Sequence, residues 1–282
     1  MIFNLLSRFA ETGPSVHVAP NVVTHIGGLN ITNSILYGWI STLVIIVLMI
    51  AVARRVTVKP KGGFSQFIEA GAEFIVNLVE SAFDDKARAR KYVPFFVTLF
   101  FFILMSNWLG LLPIVGEGFH VGDMPLFRPF TADLDGTLAA GIFTMLFVYA
   151  ASIRESGGFG KYMRHFFVGS PFNPLYFVIG LLEMLTDLTR VFSLSLRLFL
   201  NVTIGEIVIA VFSYLGHIAA PLSALPFTLV ELFVGALQAY IFTVLSVMYL
   251  AIAVNHASEH EESLTHDAVP DKIGLTPTGI SG

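Results

Sequence analysis

Two runs of this chain, Leu175 to Leu215 and Pro226 to Val254, are apolar in bulk and long enough to cross a lipid bilayer. Both carry charge inside the apolar stretch: Glu183, Asp187, Arg190, Arg197 and Glu206 in the first, Glu231 in the second. A membrane helix needs about 20 apolar residues, and an arginine at its centre costs about 2.5–3.5 kcal/mol on insertion scales. Any fold this chain adopts must therefore compensate several charges at membrane depth. Three further runs, Ser34 to Ala53, Val93 to Val115 and Thr137 to Ile153, hold no charge and bring the expected spans to five. With 55% hydrophobic residues, 13% charged ones and 27 Phe among 282, the composition excludes an ordinary water-soluble domain. The expected fold is an all-α polytopic membrane protein of about five helices.

As a helix, Leu175 to Leu215 would be roughly 60 Å long, about twice a bilayer core. It is either two spans or one strongly tilted helix. No Pro or Gly lies between Leu181 and Asn201 to make a turn, and an open loop is not tolerated in lipid, so a single long helix is expected. With the loop at Pro221 to Pro226 read as a hairpin, the last two spans form an antiparallel pair.

Basic residues set the orientation. Arg54, Arg55, Lys59, Lys61, Lys86, Arg88, Arg90 and Lys91 follow the first span, and Arg154, Lys161 and Arg164 follow the third. Both loops are expected to be cytoplasmic. Arg8 and Arg128 lie on the other side among Glu117, Asp123, Asp133 and Asp135. This makes residues 1–33 an outer N-terminal segment, residues 34–255 the membrane domain and residues 256–282 a flexible cytoplasmic tail. The opening MIFNLLSRFAETGPS lacks the basic leader and apolar core of a cleavable signal, so residue 1 is expected in the mature chain. Within the first cytoplasmic loop, residues 64–84 place Phe64, Phe67, Ile68, Phe74, Ile75, Leu78, Val79, Ala82 and Phe83 at helical spacing. Glu69, Glu73, Asn77 and Glu80 take the opposite face. This reads as an amphipathic surface helix that binds either lipid or protein, its acidic face being unusual for a lipid-binding helix.

On the long helix, Glu183, Asp187, Arg190, Arg197 and Asn201 fall on one narrow stripe at 100° per residue. Asp187 and Arg190 have the spacing of an internal ion pair. Arg197 is different, because Ser193, Leu194, Leu200 and Asn201 occupy its helical-neighbour positions and none is an acid. A guanidinium keeps its proton, so Arg197 can act as a fixed cationic barrier or a transient partner for a visiting carboxylate. Glu206 lies about 13.5 Å further along the axis and Glu183 about 21 Å the other way. In the antiparallel partner, Glu231 and Gln238 share a face; with Gln238 level with Arg197, Glu231 sits about 10.5 Å toward the outside, near the depth of Glu206. Two polar half-paths separated by a cation are what ion transfer through a moving carrier requires.

The residues that carry these features resemble a known family. SLSLRLFLNVTIGE, from Ser193 to Glu206, and ALQAYIFTVLSVMYLAIA, from Ala236 to Ala253, are similar to the paired final helices of the a subunit of F-type ATP synthases. LMSNWLGLLP, from Leu104 to Pro113, resembles an earlier hairpin of the same family. The resemblance implies an ion-translocating stator in which Arg197 faces a carboxylate of a rotating c-ring, with Asn201, Glu206 and Gln238 as polar neighbours and Glu183 toward the cytoplasmic side. Glu231 stands where several bacterial members have a histidine, so two carboxylates replace a Glu and His pair. Implied partners are the c-ring subunits, peripheral-stalk b subunits, the rest of the complex and membrane lipid, in a bacterial inner membrane.

Other signals point to no cofactor, metal or nucleic acid. His256 and His260 in HASEH lack the glutamate placement of a zinc protease helix, and GGFGK from Gly157 lacks phosphate-loop spacing. The chain has no cysteine. His217, near the outer end of the long helix, is a secondary candidate for ion entry, as Asp187 and Arg190 are for the inner side. Phe95 to Phe102 reads as lipid-facing or packing surface, and Trp39 as a packing residue. The rival readings are a secondary transporter or channel, whose expected internal repeats are not visible, and a structural membrane subunit of a respiratory complex with its charges as struts.

Overall fold

A computed structural model describes residues 22–26, 29–54, 63–112, 115, 120–121, 124–125, 127–155, 157–158, 174–216 and 220–267. In chain order, a short antiparallel hairpin of β1 (Val22–Ile26) and β2 (Leu29–Thr32) leads into α1 (Asn33–Ala53). Then come α2 (Phe64–Ala82), α3 (Lys86–Gly110), the two-residue strands β3 (His120–Val121) and β4 (Met124–Pro125), and a single turn at Phe130–Ala132. The chain ends on α4 (Leu134–Glu155), α5 (Pro174–Gly216) and α6 (Ala220–Asp267). Five of these helices are long and apolar enough to cross a membrane, so the chain is an all-α multi-pass membrane protein.

The helix ends follow local chemistry. The Thr32 hydroxyl caps α1 by accepting from the Ile35 N–H at 3.4 Å, and the Asp85 carboxylate caps α3 by accepting from the Ala87 N–H at 2.8 Å. The expected span at 93–115 is shifted: α3 begins at Lys86, because its cap lies there, and stops at Gly110, three residues ahead of Pro113. The α5 helix is continuous over 43 residues, as the lack of Pro and Gly between Leu181 and Asn201 suggests. Pro226, expected in the connecting loop, instead lies inside the 48-residue α6; membrane helices tolerate proline when neighbours serve the freed carbonyl. Backbone helix also continues to Asp267, through residues read from sequence as flexible tail, since no Gly or Pro interrupts 256–267. Residues 268–282 and His217 lie outside the described residues.

The core is formed where α2 through α6 meet. Ile75, Val79, Phe96, Ile103, Leu194, Leu198, Phe242, Val247, Leu250 and Val254 are essentially sealed there. The phenylalanine run belongs to this core, with Phe96, Phe100 and Phe101 buried. Helix α2 packs on α3 and α6 of its own chain: Phe67 stacks on Trp108, Phe74 meets Tyr240, and Glu80 accepts from the Arg90 guanidinium at 2.9 Å. Several helix hydroxyls are satisfied within their own helix, as Ser41, Thr144, Ser152, Thr243 and Ser246 each donate to the carbonyl four residues earlier. Helix α1 attaches mainly to α3 and the 130–132 turn, with the Tyr37 hydroxyl donating to the Leu109 carbonyl at 2.8 Å. Trp39 is 63% exposed on its outer side, contrary to the packing role expected of it. Lipid solvates an apolar side chain as well as a protein core does, so an apolar residue on a span carries no inward signal.

Candidate functional site

The site lies along the α5–α6 pair, whose antiparallel register is legible from contacts at three levels. The Ser223 hydroxyl donates to the Phe212 carbonyl at 2.7 Å, and Phe212 stacks on Phe227 with centroids 3.8 Å apart. Further down, Gly205 lies against the Glu231 carboxyl. Lower still, the Arg190 guanidinium sits 4.8 Å from the Tyr249 ring centroid. Partners thus step down α5 as they step up α6, with no slip between levels. On this register Gln238 lies beside the stretch that contains Arg197 and Asn201.

Arg197 is exposed, on a face of α5 shared with Leu196, Leu200 and Ile204. It makes no ion pair among the described residues. Beside it, α6 exposes Leu229, Val230, Phe233 and Leu237. The opposite face of α5 is the packed one, with Leu194, Ser195, Leu198 and Val202 buried. Gly141 of α4 faces the Ser195 hydroxyl, where a larger side chain would collide. The stripe read from sequence is therefore not uniform: Asp187 is buried and paired with Arg190 at 2.7 Å, whereas Arg197 points outward. Glu183 lies on α5, with its side chain outside the described set.

Several buried polar atoms of these two helices lack protein partners. Among the described residues, Asn201 Nδ2, Gln238 Nε2, Ser195 Oγ and Thr203 Oγ1 are buried with no hydrogen bond. Such orphans are rare in folded chains and mark places for water or a ligand. Glu231 seats its carboxyl against Gly205, next to Glu206 in sequence. Any side chain at 205 would occupy that carboxyl's place.

Four residues escaped the sequence reading. Gly205 makes room for Glu231, a role visible only once two distant helices are paired. Asn107 and Trp108 lock α3 to α6 by donating to the Gly235 and Leu232 carbonyls, each at 3.1 Å. Arg128, counted from sequence as an outer-loop charge, is 6% exposed, and its Nη2 donates to the Ala132 carbonyl at 2.9 Å. Its signal was an arginine set in the apolar, proline-flanked string LFRPF just before a span.

The family model described as ATP synthase A chain matches residues 35–251. Among curated proteins, ATP synthase subunit a of Anaeromyxobacter sp. (strain Fw109-5) is 32% identical over 241 residues, covering 82% of this chain and 56% of the relative. ATP synthase subunit a of Gloeobacter violaceus is 30% identical over 247 residues, covering 87% and 94%. ATP synthase subunit a 2 of Prosthecochloris aestuarii is 31% identical over 266 residues, covering 89% and 76%. The chain thus spans little more than half the length of the Anaeromyxobacter relative and nearly all of the Gloeobacter one.

Proposed function

This chain belongs to the ATP synthase A chain family, and on that premise we propose that it is the membrane stator that passes ions to and from carboxylates of a rotating c-ring. The observation that carries the reading is Arg197, an exposed arginine near the middle of an apolar helix, without an ion-pair partner among the described residues and surrounded by exposed apolar side chains. A charge so placed is stable only when an acid is brought to it from another subunit. A ring of small helices, each presenting one carboxylate, fits the apolar α5–α6 face, and peripheral-stalk subunits would hold the stator against torque.

In this reading an ion enters from outside at the Glu206 and Glu231 carboxyls and passes to a ring carboxylate. Arg197 favours the ionised form of each arriving ring carboxylate, so the ion leaves before that carboxylate passes the cation. Release to the inside follows the polar route toward Glu183, with the Asp187–Arg190 pair beside it. Asn201 and Gln238 supply uncommitted amide groups at the level of the barrier. Each ion crossing a 100 mV potential contributes about 2.3 kcal/mol to rotation. The N-terminus is placed outside and the C-terminus in the cytoplasm of a bacterial inner membrane, following the basic loops after the first and third spans.

Inverted membrane vesicles that carry the assembled complex test this reading. Arg197→Ala is expected to leave the complex assembled while ATP-driven ion uptake falls at least about a hundredfold, which corresponds to ~2.7 kcal/mol. Loss of assembly with no transport-specific defect would instead make Arg197 a strut.

A further inference from the structure

The C-terminal end of α3 grips the backbone of α6 at two points. Asn107 Nδ2 donates to the Gly235 carbonyl and Trp108 Nε1 to the Leu232 carbonyl, each at 3.1 Å. Both carbonyls lie inside a continuous helix, where the N–H groups four residues on already serve them, so these bonds are additional to what α6 needs for itself. The approach is close: a methyl group built on Gly235 would stand 3.3 Å from the Asn107 Cβ. The gripping end is itself anchored. Trp108 stacks on Phe67 of α2 with centroids 6.0 Å apart, and the Leu109 carbonyl accepts from the Tyr37 hydroxyl of α1 at 2.8 Å.

The two grips fall between the two polar residues that α6 contributes to the ion path. Leu232 follows Glu231 directly, and Gly235 stands three residues before Gln238. At 100° per residue, Glu231 and Gln238 lie within about 20° of one line, and the gripped residues lie about 40° and 100° to one side of Glu231. Leu229, Val230, Phe233 and Leu237 occupy the far side and are open. Apolar packing alone gives such a helix little reason to prefer one rotation, because lipid and protein interior are equally apolar. Hydrogen bonds are directional, and two of them a turn apart fix both the rotation and the depth of α6. A side-chain tip roughly 5–6 Å from the axis moves about 3 Å when the helix turns by about 30°, enough to take the Glu231 carboxyl off its seat against Gly205.

We infer that Asn107 and Trp108 are positioning residues of the ion path: together they set the rotation of α6 about its own axis, and so hold Glu231 in its seat on Gly205 and keep Gln238 turned to the same side. They act through the α6 backbone and not on the ion itself. The open side of α6 is where a turning ring would load this helix sideways, and the grips on its packed side oppose that load. The inference rests on the reading of Glu231 as part of the outer ion site.

The chain has no cysteine, so an engineered pair reports the seat directly. The Glu231 carboxyl occupies the place of a Cβ on Gly205, so G205C with E231C brings two thiols within reach of a disulfide. In the assembled complex in inverted vesicles, that pair is expected to close on mild oxidation, and to close at least about fivefold more slowly once N107L and W108F remove the two donors. N107L keeps the volume of the amide and W108F keeps a ring against Phe67. A control pair, F212C with F227C, replaces two rings stacked at 3.8 Å and should close at one rate with or without the grips. In the cysteine-free chain, N107L with W108F is expected to lower ATP-driven ion uptake per assembled complex about tenfold. Unchanged closure of the 205–231 pair overturns the inference. So does equal slowing of both pairs, which would make Asn107 and Trp108 general struts, and so does slowed closure with wild-type uptake. E231Q with wild-type uptake removes instead the underlying reading of Glu231, while closure of the 205–231 pair still decides whether the grips set the rotation of α6. If the double variant fails to assemble, N107L and W108F taken singly, each expected to slow closure at least about twofold, decide in its place.

Discussion

The interior formed by α2, α3 and α6 and the outward face of the α5–α6 pair are built from similar residues to opposite ends. In the interior, Ile75, Phe96 and Phe242 have no exposed surface, and the nearby charges are matched: Glu80 with Arg90, Glu155 with Lys91 and the Tyr92 hydroxyl. On the outward face, Leu229, Phe233 and Leu237 are open and Arg197 has no mate among the described residues. Apolar character alone does not separate the two regions, because lipid and protein interior are equally apolar. What separates them is whether polar groups are satisfied within the chain. A region that matches its own charges is finished; one that leaves a cation and two amides open is waiting for another component.

Substitutions can break this contrast in order of effect. The largest is the loss of ion transport expected of Arg197→Ala, because the open face depends on one charge. Next, Phe96→Ala should lower the thermal stability of the detergent-solubilised complex by about 2 kcal/mol. In lipid the transfer part of a buried phenylalanine largely drops out, so the cavity term dominates. Stability measured by thermal aggregation would reveal it, and an unchanged melting profile would mean that the core tolerates the void. Gly205→Val comes third: it forces the Glu231 carboxyl from its seat, and ion uptake should fall about tenfold, or ~1.4 kcal/mol, with assembly unchanged. Uptake equal to wild type would show that the seat is not used. Smallest is Glu80→Gln at the interior's surface, where an ion pair with a 73% exposed arginine side chain is worth about 0.2–1 kcal/mol. It should leave uptake unaltered and shift the melting midpoint by no more than a few degrees.

Much of this arrangement is legible in the sequence, and the rest is hidden for physical reasons. The five spans follow from hydropathy because lipid imposes a minimum apolar length. The continuity of α5 follows from the lack of Pro and Gly between Leu181 and Asn201. Arg197 stands out because an unpaired cation within a helix is a local property, readable from four positions on either side. Gly205 and Asn107 are not readable in this way, since each acquires meaning from a residue far along the chain. Helix α1 hid its inner face because it is apolar all round, and Trp39 was misplaced for that reason. The ion pair at Asp187 and Arg190 was legible as spacing, but the seating of Arg190 over the Tyr249 ring was not.

The unslipped pairing of α5 with α6 also limits how such a protein can change over generations. Within Pro174–Gly216 no loop can absorb an added or deleted residue. One insertion between Arg197 and Glu206 would turn everything beyond it by 100° about the axis and slide it by about 1.5 Å. The acid would swing away from its neighbours even though every amino acid remained. Lineages carrying this helix pair are therefore free to vary letters along it but not its count, and length differences should collect at the two chain ends and in the connections between helices.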